Sequence, residues 1–181
     1  TFYKSVEQLP PFEDYNMRGR TYRYFEGEPL FPFGYGLSYT NFAYSNLIID
    51  EEIKAGEIIK VAVDVSNRGK IAGDEVVQLY VKNLDTTVPT PIHSLQGFKR
   101  INLKPGETQR VEFLLQPRQL AVIKDQDMLN SESESSRKVQ YIVEPGAYEI
   151  SVGGMQPGTI SETTQIISKK IKIIGESYLI K

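Results

Sequence analysis

Between residues 58 and 65 the chain alternates, with Ile59, Val61, Val63 and Val65 on one face and Lys60 and Asp64 on the other. That period of two predicts a half-buried β-strand. Residues 75–82, Glu-Val-Val-Gln-Leu-Tyr-Val-Lys, are apolar almost throughout and predict a central strand buried on both faces. Shorter β-like stretches follow the same logic at 42–49, 97–103, 110–115, 120–123, 139–143 and 147–152. A last strand over 164–174, carrying the alternating pair Ile171 and Ile173, is expected to close one sheet.

Gly and Pro punctuate these runs. Ala55-Gly56 breaks the first pair, and Asn67-Arg-Gly69 predicts a turn with Gly69 at positive φ. Pro105-Gly106 suits the middle of a type II turn, from which 110–115 returns antiparallel. Pro89 and Pro91 confine 86–91 to a loop, residues 117–120 suit one helical turn capping the sandwich, and Glu144-Pro-Gly146 is a further turn. The polar run 130–136 predicts a mobile hairpin tip. About seven or eight short strands with almost no helical period and no repeat predict an all-β fold. The expected architecture is an antiparallel β-sandwich of fibronectin type III or immunoglobulin character over 41–181.

Residues 1–40 break the pattern. Pro10, Pro11, Pro29 and Pro32 interrupt scattered aromatics, and no period survives. Between 20 and 40 stand seven rings, Tyr22, Tyr24, Phe25, Phe31, Phe33, Tyr35 and Tyr39. A free linker would leave them in water, so this segment is expected to be an extended strap pressed on a protein surface, part of which lies outside this chain. If the strap is extended, Tyr22 and Tyr24 share a face and Arg23 points opposite, able to stack on a ring or pair with a carboxylate of a neighbouring domain. Arg20, Tyr22, Arg23, Tyr24, Phe25, Phe33 and Tyr35 are the candidate docking residues.

Composition narrows the chemistry. The net charge of −2 is spread over 181 residues with both signs interspersed, which leaves no electrostatic footprint for nucleic acid or acidic lipid. There is no cysteine, hence no disulfide, thiolate metal site or cysteine nucleophile. No apolar run reaches the roughly 20 residues of a membrane span. Thr1 in place of an initiator Met points to a processed product or an excised piece. His93 is the one histidine; it sits in a Pro-bounded loop with no Gly-x-Ser-x-Gly elbow and is read as a surface residue. Asp125-Gln-Asp127 lacks the Gly and terminal Glu of a calcium loop, so no metal or cofactor is expected.

The acidic pairs Glu13-Asp14, Asp50-Glu51-Glu52 and Glu132/Glu134 are read as solvated, and Asp74-Glu75 as capping the start of the central strand. Gly34-Tyr-Gly36 and Gly153-Gly154 lack a strand-to-helix context and are turn glycines. Eleven Tyr could stack on sugars, although Trp, the usual platform, is absent.

Several segments resemble the C-terminal part of glycoside hydrolase family 3, the β-glucosidases and β-xylosidases: Leu9-Pro-Pro-Phe-Glu-Asp-Tyr, Gly19-Arg-Thr-Tyr-Arg-Tyr-Phe and Pro32-Phe-Gly-Tyr-Gly-Leu-Ser-Tyr-Thr-Asn-Phe. The resemblance continues through 65–81, 95–107 and 143–153 in order. His93-Ser94 departs from the charged pair common before Leu-x-Gly-Phe, and the tail beyond Gly154 follows no family pattern. The resemblance implies a retaining β-glycosidase whose aspartate nucleophile and acid/base glutamate lie upstream of Thr1, on a barrel and an α/β sandwich. No position here matches either catalytic motif, so no catalytic residue is assigned.

The chain is then expected to be a non-catalytic accessory domain, with 1–40 leading from the α/β sandwich. Its partners are the upstream catalytic domains of the same polypeptide, and the oligosaccharide substrate belongs to the whole enzyme. A periplasmic or secreted location goes with the resemblance. The alternatives are a carbohydrate-binding module, which exposed Tyr on one sheet face would favour, and a free-standing interaction domain.

Overall fold

A computed structural model describes residues 2–125 and 139–180. The predicted hairpin tip at 130–136, Gln126 and Asp127, and Glu132/Glu134 lie outside the described residues.

Among the described residues eleven strands form three sheets. β1 (Phe42–Ile48), β3 (Ile59–Asn67) and β6 (Thr108–Leu115) make one face of a sandwich, in the order β1-β3-β6. The other face comprises β2 (Glu52–Lys54), β4 (Gly73–Asn83), β5 (Ser94–Leu103), β9 (Gly146–Gly153) and β10 (Ile166–Ile174). Its order is β2-β10-β9-β4-β5. A small third sheet, β11-β8-β7, joins β7 (Val122–Asp125), β8 (Val139–Val143) and β11 (Tyr178–Leu179).

Alternation decides which side chains meet. Ile59, Val61, Val63 and Val65 of β3 are all buried, as their period predicts, and face Val77, Leu79, Ile150 and Val152 across the sandwich core. Each such side chain contributes about 1.5–3 kcal/mol by leaving water. β4 lies between β9 and β5 and is buried on both faces from Val77 to Val81, again as predicted. A protein layer therefore covers its outer face, and that layer is the N-terminal arm described below.

Four expectations change. Gly69 is not among the positive-φ glycines; a Cβ there would sit 2.1 Å from Thr40 Oγ1, so close approach rather than backbone conformation requires glycine. Gly106 does take φ +75°, but the strand after it does not pair with β5. β6 pairs with β3, register Val63↔Val111, so the 104–107 turn carries the chain from one sheet to the other. The sandwich is not wholly antiparallel: β2 runs parallel to β10, register Ile53↔Ile173, and takes the edge that β10 was expected to hold. β2 and β11, of three and two residues, are too short to show a period. The helical turn expected at 117–120 is present as α2 (Pro117–Leu120), with Gln119 Oε1 accepting the Gln116 amide at 2.8 Å.

Candidate functional site

The arm is mostly irregular, with a 3₁₀ turn at Val6–Gln8 and one helical turn, α1 (Thr21–Tyr24). The Phe25 amide donates to Thr21 O at 3.0 Å. This turn overturns the extended geometry expected for Tyr22 and Tyr24: two residues apart on a helix, their side chains diverge. Tyr22 turns inward. Its ring stacks on Phe33 at 4.5 Å and on His93 at 5.9 Å, meets Tyr80 edge-on at 6.2 Å, and its hydroxyl accepts the Leu95 amide at 3.2 Å. Arg23 lies outside, its guanidinium 5.8 Å above the Tyr24 ring, while its carbonyl accepts the Ile92 amide at 2.7 Å.

A second clamp holds the 32–35 turn. Phe33 donates its amide to Gln156 Oε1 at 2.7 Å, and the Gln156 amide donates to Phe33 O at 2.9 Å. Gly34 takes φ +83° and lies so close to Gln78 Nε2 and the Met155 backbone that a Cβ would meet them at 2.8 and 2.9 Å. Arg20 spends its donors inside the arm, on the carbonyls of Asn16 (2.9 Å), Pro11 (3.3 Å) and Asp14. Phe25 packs edge-on against Tyr3 at 4.8 Å, and Tyr35 lies 4.9 Å from Phe31 with part of its ring open. Of the candidate docking residues, Tyr22, Phe33 and the Arg23 carbonyl are brought against the sandwich, and Arg20 and Phe25 shape the arm. Tyr24 stays toward the arm's own surface, and Tyr35 lines the space between the arm and the five-stranded sheet.

Sequence reasoning missed the receiving side: Tyr80 and Gln78 inside β4, Gln156 after β9, and His93. None carries a local motif, because each matters only through a partner distant in sequence. The surface assignment of His93 is corrected. The imidazole is half-buried between rings, and its Nε2 has no hydrogen-bond partner. Burial, and then the charge of Lys82, pushes its pKa down to about 4. The native state therefore binds fewer protons than the unfolded chain, so this contribution to stability is present above the ordinary histidine range and lost as pH falls toward 4. His93→Phe is expected to flatten the dependence of thermal unfolding between pH 6.5 and 4; an unchanged slope would show that His93 does not carry it.

The rest of the arm finds no cover. Phe12, Tyr15, Leu37 and Tyr39 are 88%, 87%, 87% and 96% exposed. Three rings and a leucine so open in one segment are unusual for a free surface.

Asp74 bonds cross-strand to Arg100 and Asn102, as expected for the start of β4. Glu75 does not cap that end: it is 7% exposed and reaches into the sandwich. Among the described residues no cluster of three or more His, Asp or Glu could hold a metal, and no helix is long and apolar enough to cross a membrane.

Residues 75–156, from β4 through β9, match the fibronectin type III-like domain family. This chain carries a fibronectin type III-like domain. The domain and its arm together are 40% identical, over 84% of the chain, to a xylan 1,4-β-xylosidase of Xylanibacter ruminicola, and cover 16% of it. They are 37% identical, over 84% of the chain, to thermostable β-glucosidase B of Acetivibrio thermocellus, and cover 19% of that protein. Among solved structures, β-glucosidase 3B of Thermotoga neapolitana superposes with TM-score 0.64 at 32% identity, over 85% of this chain and 18% of that one. A β-glucosidase of Erythrobacter marinus does so with TM-score 0.71 at 30% identity, over 96% and 21%. The chain thus spans less than a fifth of the length of these two curated relatives. The fibronectin type III-like domain and its arm correspond to one segment of glycosidases several times longer.

Proposed function

We propose that this chain is the non-catalytic accessory part of a retaining β-glycosidase of glycoside hydrolase family 3. Residues 1–40 lead from an upstream α/β domain, and the sandwich over 41–181 braces the catalytic domains. The observation that carries this is the arm's division into two sides. One side is clamped to the sandwich through Tyr22 and Phe33. The other presents Phe12, Tyr15, Leu37 and Tyr39 to solvent. The relatives are long enough to supply the missing cover. In this arrangement Tyr22, Phe25, Phe33 and Arg20 hold the arm's shape, while the Arg23 and Tyr24 side chains stand toward the partner domains. The oligosaccharide substrate is bound by the whole enzyme, and a periplasmic or secreted location accompanies the proposal.

Two measurements test it. The purified chain is expected to hydrolyse neither aryl β-xylosides nor aryl β-glucosides, and turnover free of contaminant would overturn the non-catalytic assignment. In the longer polypeptide, Phe12→Asp with Tyr39→Asp is expected to lower the melting temperature by several degrees. The same pair should leave this chain alone nearly unchanged, since exposed substitutions cost within about 0.5 kcal/mol. Equal effects in both contexts would sink the brace.

A further inference from the structure

Between the arm and the outer face of the five-stranded sheet lies a cleft of 920 Å³. That size falls in the range of roughly 300–1,000 Å³ typical of small-ligand sites. Strand register lays out its floor. Lys82 of β4 stands opposite Glu149 of β9, and Glu149 stands opposite Lys170 of β10. Opposite charges so placed ordinarily pair, yet the ion pairs among the described residues involve other groups. The carboxylate of Glu149 and the ammonium of Lys82 thus keep their hydrogen-bonding capacity. Beside them are Ser151, whose hydroxyl contacts Ser168 at 2.8 Å, and His93, whose Nε2 is buried with no partner. Tyr35, on the arm side, offers a partly open ring.

The chemistry of this set selects its ligand. Glu26, Glu28 and Glu149 line the cleft against the single cation Lys82, which disfavours anions. A carboxylate that accepts and an ammonium that donates, side by side on one wall, suit a ligand bearing hydroxyls that both donate and accept. An open ring opposite them suits the C–H face of a pyranose. The sheet carries no exposed tyrosine platform, since Tyr80 and Tyr148 are both 1% exposed, so a sugar would enter the cleft edge-on to the sheet instead of lying flat across it.

We propose that this cleft binds a short neutral β-linked oligosaccharide of xylose or glucose units, with Glu149 and Lys82 gripping hydroxyls and Tyr35 covering a ring face. The bracing role and this one are independent, and either can hold without the other.

Isothermal titration of the 181-residue chain with xylobiose, xylotriose, cellobiose and cellotriose tests the site, with circular dichroism confirming that each variant is folded. Saturable binding is expected for the xylo- or the cello-series. Glu149→Ala and Lys82→Met, both on paired strands, are each expected to weaken it about tenfold or more, as loss of a hydrogen bond to a charged group does. Tyr35→Ala should weaken it too. No binding at tens of millimolar ligand would overturn the proposal, as would binding that Glu149→Ala and Lys82→Met leave unchanged. Neither result bears on the melting-temperature test of the brace.

Discussion

Asn67→Ala is expected to destabilise the chain by about 3–4 kcal/mol, the cost of leaving several buried polar groups unpaired at once. Asn67 ends β3 and is fully buried. Its Nδ2 donates to the carbonyls of Ile71 (2.8 Å) and Leu103 (2.9 Å). Its Oδ1 accepts the Gly69 amide at 2.9 Å and the Thr40 hydroxyl. One side chain therefore joins the end of the arm, the β3–β4 turn and the end of β5. Alanine removes all four bonds and leaves the Ile71 and Leu103 carbonyls, the Gly69 amide and the Thr40 hydroxyl without this partner. In urea unfolding the midpoint should fall at nearly constant slope, and the melting temperature should drop by roughly 10 °C. Asn67→Asp sharpens the test. It keeps the acceptor for Gly69 and Thr40 but turns oxygen toward two carbonyls, so it should be at least as damaging at neutral pH and recover partly in acid, when a protonated carboxyl can donate. A loss under about 1 kcal/mol in Asn67→Ala would mean that the turn repacks without its hub.

Asn67 also marks where the sequence stops speaking. As part of Asn67-Arg-Gly69 it signals a turn, and the turn is there; that its side chain ties this turn to the arm and to β5 depends on partners 27 and 36 residues away. The same divide runs through the molecule. The buried face of β3 and the doubly buried β4 were legible, because burial imprints itself locally as a period of two or a continuous apolar run. The sheet change after Gly106 was not legible, since a Pro-Gly turn looks alike whether it closes a hairpin or crosses a sandwich.

At the arm, the density of rings announced a covering segment, and the segment does cover β4. Which rings face inward was decided by one helical turn at Thr21–Tyr24, with Thr21 at φ 57°, a conformation a β-branched residue adopts only when its surroundings impose it. Propensity could not forecast that. The burial of His93 is hidden for a related reason: a loop histidine carries no sign in the sequence of the arm folded over it.

Glu75 is a second residue whose position contradicts its local context, and its replacement is expected to stabilise. It directly follows Asp74, and the two share a sequence pattern, but Asp74 is solvent-facing and ion-paired while Glu75 is buried. Glu75 Oε1 accepts the Val76 amide at 2.8 Å, and no cation pairs with it among the described residues. The Tyr44 and Thr164 hydroxyls are buried with no hydrogen-bond partner of good geometry. Burial pushes the Glu75 carboxyl above its ordinary range, against the opposing effects of the Thr164 hydroxyl and the Val76 amide. It raises Tyr44 as well, with the nearby Glu75 charge adding to it.

The folded state thus holds the Glu75 proton more tightly than the unfolded chain does. Its contribution to stability is fully present below the unfolded carboxylate pKa and declines as pH rises through that value toward the folded one. At neutral pH the protein either carries an unpaired buried charge or has taken up a proton against its ordinary pKa, and both cost free energy. Glu75→Gln removes that cost in nearly the same volume. Its Oε1 still accepts the Val76 amide, and its amide group can donate to the Tyr44 or Thr164 oxygen. The variant should be about 1–3 kcal/mol more stable at pH 7, the scale of a buried polar group that gains its partner. The gap should shrink toward zero as pH falls to 4. Urea midpoints of both proteins at pH 4, 5.5 and 7 measure it. Destabilisation by Gln at every pH would reverse the argument, showing that the carboxylate is held ionised as the acceptor that the Tyr44 and Thr164 hydroxyls share.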